Sequence, residues 1–125
     1  MPQAIAMDTL SLPWTPHQTF GGVQNRFVIQ GEMSARLEVR VISVAPGFEI
    51  PNHTHEFSAE TFYILSGRGE FYLDGRRVPC QAGTCGYADP GKVHGVKNLG
   101  ETDLQLLAVF APPTQQATAA QKPAV

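Results

Sequence analysis

His53 and His55 stand two residues apart within residues 47–67, GFEIPNHTHEFSAETFYILSG, and Glu60 follows five residues after the second. In a β-strand, residues i and i+2 point to the same face, roughly 6.6 Å apart along the strand. Two imidazoles placed in this way can converge on one metal ion. A carboxylate from a neighbouring strand would add an oxygen ligand and reduce the charge of the site. His55-Glu56 also opens the helical zinc-protease pattern H-E-x-x-H. That pattern fails here, because Ala59 stands where its second histidine belongs and the flanks are not helical.

The same stretch resembles the first motif of the cupin superfamily, G-x5-H-x-H-x4-E-x6-G, with Gly47, His53, His55, Glu60 and Gly67 all in register. The second motif of that family, G-x5-P-x-G-x2-H-x3-N, finds Gly83, Gly91, His94 and Asn98 in register downstream. Asp89 occupies the proline position and Pro90 follows it, a displacement that bears on the shape of a turn rather than on His94. The resemblance is to small single-domain, metal-binding cupins of the cupin 2 type. It implies an all-β jelly-roll barrel (a double-stranded β-helix) with one divalent ion held by His53, His55, Glu60 and His94. The alternative for these residues is a set of hydrogen-bonded core histidines. A barrel interior must satisfy every buried imidazole and carboxylate, and an ion does so for all of them together.

Three neutral imidazoles and one carboxylate leave two positions open on a six-coordinate ion. Ligation by nitrogen and oxygen without thiolate suits manganese, iron, nickel, cobalt, copper or zinc. The open positions admit a chelating substrate, or a substrate beside dioxygen. Cupin dioxygenases resembling quercetinase use this arrangement, so the resemblance implies first a metal-dependent oxidoreductase acting on a small organic molecule. Non-oxidative lyases, isomerases and cyclases use the same ligands, with the ion as Lewis acid. A non-enzymatic cupin that binds a sugar or other small molecule is the remaining reading.

If Glu60 points inward, strand alternation turns Phe62 and Ile64 inward too, and Tyr63 and Leu65 outward. By family analogy Gln105, Leu107 and Val109, the mixed face of the last strand, line the cavity. The apolar face, Leu104, Leu106, Ala108 and Phe110, then packs on a second layer or on a partner subunit. No catalytic side chain is assigned beyond the metal ligands. Glu56 and Asp89 read as structural or solvated turn residues, Lys92 as a solvated cation, and His17 as an ordinary surface or interface residue.

Short strands must position these groups. Residues 1–20 read as an irregular arm containing Pro13, Trp14 and Pro16, residues 21–112 as the barrel, and residues 113–125 as a loosely held extension. Apolar residues at Val23, Phe27 and Ile29 begin the β-like text. Leu37, Val39 and Val41 then alternate with Arg36, Glu38 and Arg40, a period of two that predicts a half-buried strand. Pro46-Gly47 marks a turn, and residues 61–65 form a β-branched and aromatic run. Residues 70–73 and 76–78 flank Asp74-Gly75, a strong hairpin signal. Short strands are also expected over 93–96 and 104–110, with no helix.

Of 125 residues, 42% are apolar and 16% charged, which describes one globular domain. The net charge of −2 leaves no basic footprint for nucleic acid. No apolar run is long enough to span a membrane, and the N-terminus lacks the basic start of a signal peptide. A cytoplasmic protein is therefore expected. Cys80 and Cys85 are read as unpaired thiols. The expected partners are a small-molecule ligand and a second copy of the chain. The homodimer would form through the apolar face of the last strand, with Leu10, Leu12 and Trp14 of the arm lying against the second subunit.

Overall fold

Asp74, at φ 48°, and Gly75, at φ 91°, adopt the left-handed backbone that a two-residue hairpin needs, and the chain reverses there. Strand β6 (Arg68–Leu73) pairs with β7 (Arg76–Gln81) across this turn, with Leu73 opposite Arg76. The structure is a computed structural model and describes residues 3–114. Its other strands are β1 (Thr15–Pro16), β2 (Val23–Ile29), β3 (Glu38–Val44), β4 (Glu49–His53), β5 (Ala59–Ser66), β8 (Cys85–Ala88), β9 (His94–Asn98) and β10 (Leu104–Ala111). Among the described residues the only helical elements are short 3₁₀ turns at Thr9–Ser11 and Gly31–Met33. None is long and apolar enough to cross a membrane.

The strands form two antiparallel sheets, β1-β2-β3-β10-β5-β8 and β4-β9-β6-β7. Buried Ile42, Val44, Phe62, Ile64, Phe71, Val96 and the inner face of β10 fill the space between them. This is the all-β jelly-roll that the motifs imply. Burying that apolar surface is the main driving force for closing the barrel.

The faces of β10 are the reverse of the expectation. Leu104, Leu106, Ala108 and Phe110 are 0–2% exposed and point inward, while Gln105, Leu107 and Val109 are half-buried on the outer face. The register is the reason. Phe110 lies opposite inward-facing Glu60, and Leu106 opposite inward-facing Ile64; residues directly opposite in a sheet share a face. Gln105, Leu107 and Val109 therefore do not line the cavity, and the apolar face of β10 is not a dimer surface.

β3 departs in the same way. Glu38, 0% exposed, and Arg40 lie on the interior side with Ile42 and Val44. The pair survives burial because Arg40 Nη2 forms an ion pair with Glu38 Oε2 at 2.9 Å, and the Thr114 amide and hydroxyl donate to Glu38 Oε1 at 2.9 and 2.7 Å. Buried charges persist where they are paired in this way. Thr114 is itself buried; the rest of the expected C-terminal extension lies outside the described residues. Cys80 is buried, Cys85 is exposed, and both are free thiols.

Candidate metal centre

The four ligand candidates come from both sheets. His53 ends β4, His55 lies in the connection to β5, Glu60 is on β5, and His94 opens β9. An irregular register between Ile50 and His53 sets His53 opposite His94. Gly95 permits this close approach, since a Cβ there would fall 2.5 Å from Asn52 Oδ1 and 2.9 Å from the Ile50 carbonyl oxygen. The two ligand loops are tied together where the Gly91 amide donates to the His55 carbonyl at 2.8 Å. The displaced proline leaves the turn closed, with the Lys92 amide donating to the Asp89 carbonyl at 3.1 Å.

One ligand atom from each of His53, His55, Glu60 and His94 lies within 4.8 Å of all the others. His53 Nδ1 donates to the Pro51 carbonyl at 2.7 Å and His94 Nδ1 to the Lys92 carbonyl at 3.0 Å. In their neutral forms both rings then present a bare Nε2. That of His94 lies 2.8 Å from Glu60 Oε1, and His55 Nε2 lies 3.0 Å from the same oxygen. A bare nitrogen lone pair that close to a carboxylate oxygen requires a positive charge between them. A proton on the His94 ring can bridge that gap, and a His55 Nε2–H can donate to the same oxygen. A divalent cation would take the place of both protons and engage His53 as well, so three imidazoles and one carboxylate fit a metal ion.

The electrostatics agree. Burial alone would raise Glu60, but hydrogen bonds from His55 and His94 overcome it and hold its carboxyl at about 2. Burial lowers His53 to about 4, partly offset by the Pro51 carbonyl, with His94 and His55 adding to the lowering. Burial also opposes charge on His94, yet the Glu60 carboxylate outweighs it and raises that ring.

A cavity of about 50 Å³ adjoins the ligands, and Asn25, Arg40 and His17 line it together with His53, His55 and Glu60. A smaller space of about 20 Å³ lies between His53, Glu60, His94, Phe62 and Leu106. Phe62 is stacked on His94 with ring centres 5.8 Å apart, and Phe110 meets His55 edge-on at 5.2 Å. Of the expected pocket residues, Phe62 is therefore at the site. Ile64, 0% exposed, lies in the core and lines neither space. Lys92 pairs with Asp74 at 3.4 Å on the surface, and Asp89 accepts from the Tyr87 hydroxyl at 2.6 Å.

His17 is not an ordinary surface residue. It lines the cavity and stacks on Phe20 with ring centres 4.2 Å apart. Sequence reasoning also missed Asn25, Arg40 and Phe110. A signal existed for Asn25, a polar residue in phase with apolar Val23 and Phe27 on a strand.

Residues 40–110 match the cupin domain family. The chain is a cupin. Over 76 residues it is 43% identical to the oxalate-binding protein of Thermotoga maritima, a match covering 61% of this cupin and 62% of that relative. It is 30% identical over 118 residues to auxin-binding protein 1 of Arabidopsis thaliana, covering 87% of this chain and 56% of the relative. The chain thus spans less than two thirds of the length of these curated relatives. A crystal structure of a predicted oxalate decarboxylase from Thermotoga maritima superposes with a TM-score of 0.80 at 28% identity, covering 86% of this cupin and 99% of that chain. The polyketide cyclase RemF of Streptomyces resistomycificus, with a TM-score of 0.77, 18% identity, and coverage of 87% of this cupin and 80% of that chain, shares the fold.

Proposed function

We propose that this cupin binds one divalent transition-metal ion through His53, His55, Glu60 and His94, and uses it to bind and transform a small oxygen chelator of the size of oxalate. The observation that carries this reading is the cavity of about 50 Å³ placed directly against the ligands. Pockets for drug-sized molecules start at roughly 300 Å³, so a flavonol does not suit this space while a compact carboxylate does. The relative named as an oxalate-binding protein supports the same chemical class.

The bound ion would supply a Lewis acid and a template for two substrate oxygens. The chain's own residues do the rest. Backbone carbonyls of Pro51 and Lys92 hold the His53 and His94 rings in one tautomer. Phe62 and Phe110 pack on His94 and His55 and keep water from those sides of the centre. Such supporting contacts fix ligand orientation and tune the site. The dioxygenase reading uses the same ligands, as does a lyase. Binding without turnover is the second reading, and the name of the oxalate-binding relative favours it. The working unit in this proposal is a homodimer.

Calorimetric titration of manganese-loaded protein with oxalate and pyruvate tests the proposal. Saturable binding that disappears on chelation of the ion is expected; metal-loaded protein that takes up neither these compounds nor a neutral oxygen chelator such as acetylacetone overturns it. Oxygen uptake and carbon dioxide release, followed in the same mixtures, separate oxidation, decarboxylation and binding alone.

A further inference from the structure

The cavity beside the metal ligands is also lined by polar groups for which the metal centre has no use. Asn25 is 4% exposed on the inner side of β2, and its Oδ1 has no hydrogen-bond partner. Arg40 lines the same cavity. Its Nη2 is engaged by Glu38 Oε2 at 2.9 Å and by Thr114 Oγ1 at 3.2 Å, while its buried Nε–H has no partner. The guanidinium lies 4.5 Å over the Phe110 ring, which in turn touches His55. His17 Nδ1 accepts the Thr19 and Phe20 amides at 3.0 Å each, so the ring proton sits on Nε2. The residues lining the cavity therefore include an arginine with an unpartnered N–H, an imidazole N–H and a side-chain amide whose ends are interchangeable by rotation.

Buried polar groups nearly always have a partner. An arginine serving only to neutralise Glu38 leaves the Asn25 amide unexplained, and the two orphaned groups line one cavity. We propose that Asn25, Arg40 and His17 form a recognition subsite for the anionic end of the molecule bound at the metal centre. The ligand is then a dicarboxylate or a 2-oxo acid, rather than a neutral diketone or a catechol. Guanidinium and carboxylate form the stronger, charge-assisted class of hydrogen bond. The inference rests on the proposed function in one respect, that an ion at the four ligands holds the other end.

The test uses manganese-loaded full-length protein titrated with oxalate, pyruvate and acetylacetone, in the wild type, Asn25→Leu and Arg40→Lys. Asn25→Leu leaves the Glu38–Arg40 pair untouched, and Arg40→Lys keeps a cation beside Glu38 while removing the Nε–H. Both variants are expected to keep their metal and to bind acetylacetone as the wild type does. Their affinity for the two carboxylates should fall by about tenfold or more, the loss expected for hydrogen bonds to a charged group. Unchanged carboxylate affinity in Asn25→Leu overturns the subsite, whatever becomes of Arg40→Lys. Wild type that binds acetylacetone but neither carboxylate overturns the subsite alone. Failure of every probe, acetylacetone included, overturns the metal-centred function and the subsite with it.

Discussion

His53 and His94 each give Nδ1–H to the carbonyl of the residue two positions earlier, and this leaves Nε2 of both rings free for an ion. Removing either ring removes a ligand that nothing nearby replaces, so His53→Ala and His94→Ala should each lose most of their bound metal in stoichiometry measurements. Wild-type metal content in both variants refutes the site. Protons compete for the same groups in metal-stripped protein. His53, held at about 4 against an ordinary 6.5, contributes stability that is present above pH 6.5 and lost as pH falls through about 4. Glu60, held at about 2 against 4.5, extends the loss below pH 4.5. His94 is raised, so its contribution is complete below pH 6.5 and disappears only as pH rises past its folded value. Between pH 6.5 and 4 the stripped protein should therefore weaken toward acid, by at most about 1.4 kcal/mol per pH unit, and a flat urea midpoint across that window contradicts the assignment. The ligands were legible because their spacing is local and tied to a motif. Arg40 was not, since a charged residue alternating with valines reads as outward-facing, and its buried partners, Glu38 apart, lie far along the chain.

At the scale of strands, glycines decide how closely the ligands and their supports approach. Gly86 lies opposite Phe62 in the β5–β8 pair, and a Cβ at Gly86 would run into the Phe62 ring. Phe62 reaches its place on His94 only because that side chain is missing. Gly86→Ala should cost about 1–3 kcal/mol, as overpacking does, and should also weaken metal binding by displacing Phe62. Chemical denaturation and metal titration read the two effects, and an unchanged metal affinity would show that Phe62 does not position His94. The hairpin at Asp74-Gly75 and the strands β5 and β10 were readable from turn chemistry and apolar runs. Strands β4 and β8 were not. Pro51, Asn52 and His53 in β4 and Gly86 in β8 are poor strand formers, and tertiary pairing overrides that preference. The inward face of β10 was not readable either, because either face of a largely apolar strand can be buried and only the register with β5 decides.

For the whole molecule, an ion that binds only the folded barrel adds RT ln(1 + [L]/Kd), about 2.7 kcal/mol at a hundredfold excess over Kd. The melting temperature should fall on chelation; no shift after confirmed metal loss means that the barrel holds itself together without help. The outer face of the six-stranded sheet bears on assembly. Val41, Leu107 and Tyr63 are register partners in one row, with Val39, Val109 and Thr61 in the next. Tyr63 is 46% exposed, Leu65 45% and Tyr87 58%. In the single chain the arm is held by its own β2, where Arg26 donates to the Leu12 carbonyl at 3.0 Å and lies 4.2 Å over the Trp14 ring. It leaves the exposed aromatic residues beside β8 uncovered, and a contiguous apolar surface of this kind commonly marks an interaction site. A two-fold pair would cover the same patch on both copies at once. The expected dimer therefore uses Tyr63, Leu65, Leu107 and Tyr87, not the interior residues of β10. Light scattering at micromolar concentration should give about twice the 13.6 kDa of one chain, and a mass near a single chain ends the idea. Tyr63→Glu with Leu65→Glu should yield monomers that still bind metal, because both side chains point away from the centre that Glu60 and Phe62 face.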